Sequence, residues 1–225
     1  MTEFYDRLVA ETAPAREGFI SIPVIQRAVR GDVPRDLYAD YLTQAYHHVR
    51  HTCPLLHFAA ARTEDKRYRD DLLIYLKEEQ GHDDWILDDI AAITGAKPAP
   101  LAPPSAPCRA MVGYAYYAIE WISPYAFLGM VHVLEGMSAL LASRAAQALQ
   151  TALGSKDGRG FLYLTSHGAL DVDHVAFFRD LVNRREVGAK GDVIIDCANT
   201  IYWLYGNIFR DLEQRFLEKM DVAVG

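Results

Sequence analysis

The chain has 225 residues, 51% of them hydrophobic and 24% charged, with a formal net charge of −7 at pH 7. That length builds one ordinary core, and the composition excludes disorder as the main description. The acidic balance argues against nucleic acid as a partner, which favours a basic footprint, and against an anionic lipid surface. The three cysteines, Cys53, Cys108 and Cys197, form no CxxC pair, so neither a zinc knuckle nor a disulfide framework is expected. The start, Met1-Thr2-Glu3-Phe4, lacks the basic and apolar regions of a signal peptide. The apolar stretches read as interrupted short of the ~20 residues that a membrane span needs. A reducing cytoplasm is the expected compartment.

Helical periodicity runs through nearly the whole sequence, with no alternating strand pattern and no short repeat. A first helix is expected over about Thr2–Arg16, with a break near Ala13-Pro14, and a short second one over Ile22–Arg30, stopping at Gly31. Pro34 opens a long helix to about Ala61, kinked at Cys53-Pro54, because a proline tolerates the first turn and disturbs an interior. Thr63-Glu64-Asp65 opens the next, which runs to about Thr94 and ends at Gly95. Five prolines between Ala96 and Pro107 impose an extended connection. Helical pattern resumes over Cys108–Leu153, bent at Ser123-Pro124, then over Arg159–Val187 and Asp192–Met220. The expectation is an all-α bundle of about seven helices. It forms a single domain over residues 1–225, because residues with chemistry lie on both sides of the proline segment.

Three patterns carry that chemistry. Glu79-Gln80-Gly81-His82 places a carboxylate and an imidazole three apart, about 60° around a helix, so that they can share a face. Glu135 is a lone carboxylate in the apolar run Val131-His132-Val133-Leu134-Glu135-Gly136-Met137. His167, Asp171 and His174 stand at i, i+4 and i+7, one stripe on a helix. Taken singly, each has an ordinary explanation: a solvated helix face, a carboxylate paired in the core, or a stripe of surface polar groups. Together they are three carboxylates and three imidazoles on three helices. Inward-facing Glu and Glu-x-x-His residues are how helix bundles hold two iron or manganese ions, and mixed imidazole and carboxylate ligation suits those metals.

The order Glu-x-x-His, lone Glu, His-x3-Asp-x2-His resembles the haem-oxygenase-like dimetal oxidases and oxygenases, related in fold to TenA, PqqC and haem oxygenase. Tyr41-Leu42-Thr43-Gln44-Ala45-Tyr46 and the Gly129–Gly136 stretch add to the resemblance. The resemblance implies that Glu79, His82, Glu135, His167, Asp171 and His174 are metal ligands. Glu79, Glu135 and Asp171 would be the catalytic carboxylates, and Glu135 the bridging one. An additional carboxylate is sometimes used in the family; Glu78, Asp83 and Glu120 lie nearby in sequence. It further implies a haem-oxygenase-like helical bundle, two Fe(II) ions or a Mn/Fe pair, O2 as co-substrate, an external electron donor and a homodimer. The substrate would be a small metabolite, an amino acid first and an aliphatic acid second. N-oxygenation, desaturation and oxidative C–C cleavage are the outcomes in that family. A TenA-like hydrolase, a metal-free PqqC-like oxidase and a non-catalytic helical binding protein stand as alternatives.

Other residues invite weaker readings. His47 and His51 are four apart and could pair on a metal, but no carboxylate lies close in sequence. His132 precedes Glu135 by three and could orient a ligand by hydrogen bond or simply pack in the core. Tyr114, Tyr116, Tyr117 and Trp121 read as core packing or as walls of a substrate pocket. Gly168 is costly inside a helix, by about 1 kcal/mol relative to Ala. Arg50, Arg109 and Lys190 are possible anchors for a substrate carboxylate.

Overall fold

The protein is described by a computed structural model over residues 3–95 and 101–224, without the side chains of 168–173, 185 and 220–224. Asp171 and Gly168 therefore lie outside the described side chains, as do residues 96–100 of the proline segment. Regular structure among the described residues is helical throughout. The all-α class agrees with expectation, but the described residues form twelve α-helical segments rather than about seven. Several of the extra breaks have a local cause.

Helices α1 (Phe4–Glu11) and α2 (Ala13–Ile20) part at Thr12, with a proline in the first turn of α2. Helix α3 (Pro23–Ala28) also starts on a proline. The expected helix from Pro34 divides into α4 (Arg35–Val49) and α5 (Thr52–Arg62). Pro54 clashes with the carbonyl four residues earlier, that of Arg50, so the helix breaks at Arg50-His51 rather than at the proline itself. The next expected helix divides into α6 (Lys66–Glu78) and α7 (His82–Thr94) at Gly81, whose φ is +85°. That left-handed conformation suits glycine and ends a right-handed helix.

Helix α8 (Ala106–Tyr117) is capped by the Ser105 side chain and widens into a π turn at Ala118–Ile122. Ser123 N–H closes that turn onto the Ala118 carbonyl at 2.9 Å. A 3-10 turn at Pro124–Ala126 then launches α9 (Phe127–Leu153). Helices α10 (Leu162–Val182), α11 (Arg185–Gly188) and α12 (Gly191–Val224) complete the chain.

Helix α9 lies at the centre, packed mainly against α10 and α12. Gly129 sets one of those crossings. A Cβ there would stand 2.6 Å from both the Ala198 nitrogen and the Ile194 carbonyl oxygen of α12, so only glycine admits this approach. The stretch Pro124–Leu153 is long and apolar enough to cross a membrane by length and composition, with a mean hydropathy of 1.5. The apolar run is therefore longer than the sequence reading allowed. Over half of its apolar window is buried inside the protein, as suits a core helix.

One connected set of buried apolar side chains draws on Leu8, Leu42, Leu55, Leu72, Ile86, Leu128, Phe161 and Ile194. Full burial of each such side chain is worth about 1.5–3 kcal/mol. Asp89 is a polar member of this interior. Its carboxylate accepts hydrogen bonds from the backbone N–H groups of Leu162 at 2.9 Å and Tyr163 at 2.8 Å. It caps the orphan donors at the start of α10 and ties that helix to α7. Burial pushes its carboxyl pKa up, against the lowering effect of those hydrogen bonds.

Candidate metal centre

Glu79 caps the C-terminus of α6 and His82 opens α7. They do not share one helix face, because Gly81 breaks the helix between them. The turn nevertheless brings them together, with His82 Nδ1 3.2 Å from Glu79 Oε2. Both are buried, at 9% and 3% exposure. The Trp85 indole stacks on the His82 ring at 4.2 Å, and the His167 ring meets His82 edge-on at 4.7 Å. Helix α10 supplies His167 and, two turns on, His174. His174 Nδ1 stands 3.9 Å from Glu79 Oε1 and 3.9 Å from Glu135 Oε1 of α9.

Two groups of donors result. Glu79, His82 and His167 form one; Glu79, Glu135 and His174 form the other. In each, three ligand atoms lie within 4.8 Å of one another. Donors about 2 Å from a common ion need only small side-chain shifts from that spacing. The donor chemistry, carboxylate oxygen with imidazole nitrogen, is that of iron or manganese rather than a soft metal. The residues thus fit a pair of such ions. The carboxylate common to both groups is Glu79, whereas the family resemblance suggested Glu135 as the bridge.

Five of the six residues singled out from sequence converge here. The sixth, Asp171, lies outside the described side chains. Of the three additional carboxylates considered, Glu78 reaches His174 Nε2 at 3.4 Å. Glu120 instead pairs with Arg62.

Sequence reasoning missed the supporting residues. Tyr75, on α6, donates its hydroxyl to Glu135 Oε2 at 3.4 Å. Burial, reinforced by the Glu135 charge, pushes the phenol's pKa far up, so it stays a proton donor. Tyr163 packs on His167 at 4.8 Å. The spacing of Tyr75 one turn before Glu79 was the signal available.

A cavity of ≈ 180 Å3 opens beside the centre, with Glu79, Glu135 and His167 in its wall. The rest of its lining is largely apolar, including Phe19, Leu37, Leu56, Met130 and Phe209. Its tyrosines are Tyr38, Tyr41, Tyr75, Tyr163 and Tyr205. Tyr114, Tyr116, Tyr117 and Trp121, read as core packing or as pocket walls, do not line this cavity: Tyr116 packs on Phe58, and Trp121 is 75% exposed. Arg50, Arg109 and Lys190 are also absent from the lining, and among the described residues no other lysine or arginine lines the cavity.

His47 and His51 go to separate partners, the Ala102 carbonyl and the Tyr116 hydroxyl. His132 makes no hydrogen bond to a candidate ligand carboxylate among the described residues. Its Nε2 meets the Thr12 hydroxyl at 3.2 Å, and Thr12 in turn donates to the Leu8 carbonyl. The imidazole must therefore donate to Thr12. Burial holds its pKa down to about 4.

A helical bundle of this form is a haem-oxygenase-like fold. The profile of a family described as iron-containing redox enzymes matches residues 39–206, and the chain belongs to that family. No curated protein matches the chain in sequence. Solved structures share the fold. A domain of unknown function with a heme oxygenase-like fold from Shewanella denitrificans has a TM-score of 0.81 at 18% identity, covering 95% of this chain and 93% of its own. Heme oxygenase-1 from the cyanobacterium Synechocystis, solved with heme, gives 0.76 at 15% identity, covering 99% and 98%. A TenA homologue from P. horikoshii gives 0.76 at 12% identity, covering 94% and 98%.

Proposed function

We propose that the protein is a non-haem diiron oxidase or oxygenase that uses O2 to oxidise a small metabolite with an apolar chain. The observation that carries this reading is the pair of donor groups sharing Glu79. One ion would be held by Glu79, His82 and His167, the other by Glu79, Glu135 and His174. Asp171, four residues after His167, joins them on sequence spacing alone. Iron, when bound, supplies the reductive activation of dioxygen that side chains cannot perform.

The chain's own residues supply placement. The Trp85 stack holds the His82 ring, and the Tyr75 hydroxyl fixes the Glu135 carboxylate. Such outer contacts orient ligands and tune their basicity. The apolar cavity wall keeps water from the reacting end of a bound substrate. Because the lining among the described residues is largely apolar, an aliphatic acid fits it better than a free amino acid, which carries an ammonium as well as a carboxylate. A chain fills the apolar wall, and its carboxylate is left to the metal-binding end. An external two-electron donor and a homodimer belong to the same reading.

The TenA-like hydrolase is less well supported. It needs a reactive thiolate, and helices α9 and α10 carry no cysteine. The thiol that feels the Glu79 and Asp83 charges is that of Cys53. Its pKa is pushed up first by burial and then by those two carboxylates, which works against a thiolate.

The test is an anaerobic Fe(II) titration followed by O2 exposure under optical spectroscopy. Two equivalents of tightly held iron and an oxygen-dependent transient absorption are expected. A chain that binds no iron, or binds it without any oxygen-dependent change, would refute the proposal.

A further inference from the structure

We propose that a cleft between α1, α9 and α10 is a separate entry path for dioxygen to the metal centre, apart from the cavity that takes the substrate. The inference rests on the diiron reading of Glu135 and His174.

The cleft has a volume of ≈ 270 Å3. Tyr5 of α1 and Phe178 of α10 wall it, with Gly136 and Ala139 of α9 between them. Leu140, 54% exposed, marks its outer side. Glu135, with its side chain 13% exposed, marks the inner end. Glu135 is also in the wall of the substrate cavity, so one carboxylate borders both spaces.

Helix α9 keeps the two spaces apart. Successive residues advance about 100° around a helix. Val131, Leu134, Ser138 and Ala145 line the cavity, while His132, Gly136 and Ala139 line the cleft, roughly 140° further round. Glu135 falls midway between the two faces. Its Oε1 lies 3.9 Å from His174 Nδ1. The cleft thus ends at the donor group of Glu79, Glu135 and His174, and neither His82 nor His167 borders it.

Gly136 keeps this end open. A glycine inside a helix costs about 1 kcal/mol relative to Ala, and nothing in the backbone or the packing requires one here. Its φ is not positive, and a Cβ would meet nothing within 4 Å. Gly129, by contrast, is needed for the crossing with α12. What the missing side chain of Gly136 leaves is room beside Glu135.

The lining selects an apolar visitor. His132 Nε2 is committed to Thr12, and Glu135 Oε2 accepts from Tyr75. Burial keeps the His132 imidazole neutral at physiological pH, so Glu135 is the one charged group in the lining among the described residues. A polar metabolite finds little here to orient it, whereas apolar protein recesses take up gases such as xenon. A second path is also needed. A substrate chain lying in the cavity with its carboxylate at the metal-binding end blocks that approach, and dioxygen must still arrive.

The first arm of the test uses the full chain without metal. In crystals under xenon pressure, xenon is expected beside Gly136 in the wild type and is expected to be absent from Gly136→Leu. The second arm loads both proteins with Fe(II) anaerobically and follows the oxygen-dependent absorbance change by stopped flow at several O2 concentrations. Gly136→Leu should hold as much iron as the wild type and react with O2 about tenfold more slowly, within the ~1–3 decades over which association rates vary among variants of one site. Ala139→Leu places the same plug one turn from Glu135, and it decides the matter if Gly136→Leu loses iron or does not fold. A wild-type cleft without xenon, or an unchanged O2 rate in a plugged variant with full iron content, would overturn the proposal and leave the diiron reading standing. A wild-type chain that takes up no iron overturns that reading, and the entry path with it.

Discussion

Glu79 Oε2 stands 3.2 Å from His82 Nδ1 across a helix break, while Glu79 Oε1 faces His174 at 3.9 Å. One carboxylate thus addresses imidazoles from two helices, one oxygen to each. Losses of single donors should therefore be unequal. Glu79→Gln is expected to abolish binding of both ions, whereas His167→Ala and His174→Ala should each lose one and keep the other. Iron content after anaerobic loading and desalting reads this directly. Equal loss in all three variants would show that the two groups do not act separately.

Tyr75→Phe removes the hydroxyl that Glu135 accepts and leaves the buried ring in place. Loss of an outer contact of this kind costs about 10–100-fold in metal affinity. The effect is expected at the ion held by Glu135 and His174 only. Competitive chelator titration measures it, and an unchanged second-site affinity would remove Tyr75 from the centre.

Gly81→Ala tests the joint between α6 and α7. A Cβ at this position meets nothing within 4 Å, and the φ of +85° is the difficulty. Left-handed backbone costs an L-residue about 1–2 kcal/mol. The variant should lose that much in denaturant unfolding and should bind iron more weakly, because Glu79 and His82 are held on either side of the turn.

Gly129→Ala fails for a different reason. Its Cβ would press on the α12 backbone at 2.6 Å, and backbone cannot rotate away as a side chain can. Overpacking of a core costs about 1–3 kcal/mol, occasionally more. A drop at or above the top of that range in chemical denaturation is expected, and a neutral effect would mean that α9 and α12 are not so close.

Acid should destabilise the fold through two histidines. Burial holds His48 and His132 down to about 4, against about 6.5 when unfolded. Above that upper value both states are neutral and nothing changes. As pH falls below it, the unfolded chain takes up protons first, so stability is lost from pH ~6.5 down to about 4, by about 3 kcal/mol per residue. His132 meets Thr12, Tyr5, Phe178 and Tyr202, with the Arg16 charge also opposing protonation. His132→Gln, which cannot titrate, should remove about half of the acid slope seen in urea unfolding at stepped pH.

The helical class and the donors were legible because they are local: helical spacing of apolar residues, and short motifs such as Glu79 to His82. What sequence could not show was how the motifs are cut and shared. Gly81 reads as an ordinary interior glycine until its backbone turns left-handed, and the break at Arg50-His51 precedes the proline that causes it. Tyr75 and Asp89 act on residues of other helices, and a linear spacing rule has no term for that. The cavity tyrosines come from α4, α6, α10 and α12. Only packing brings them together, whereas the tyrosines clustered in sequence, Tyr114, Tyr116 and Tyr117, lie away from the cavity.

The donors of each group are scattered along the chain, from Glu79 to His167 in one and from Glu79 to His174 in the other. A ribosome that has released only α6 and α7 has exposed a lone Glu–His pair, too few donors to retain a transition ion. Neither group closes until α10 has emerged and docked on α9. On the proposed assignment, iron capture would be a late event in biosynthesis, and a truncated product ending before α10 would leave the cell's labile iron pool untouched.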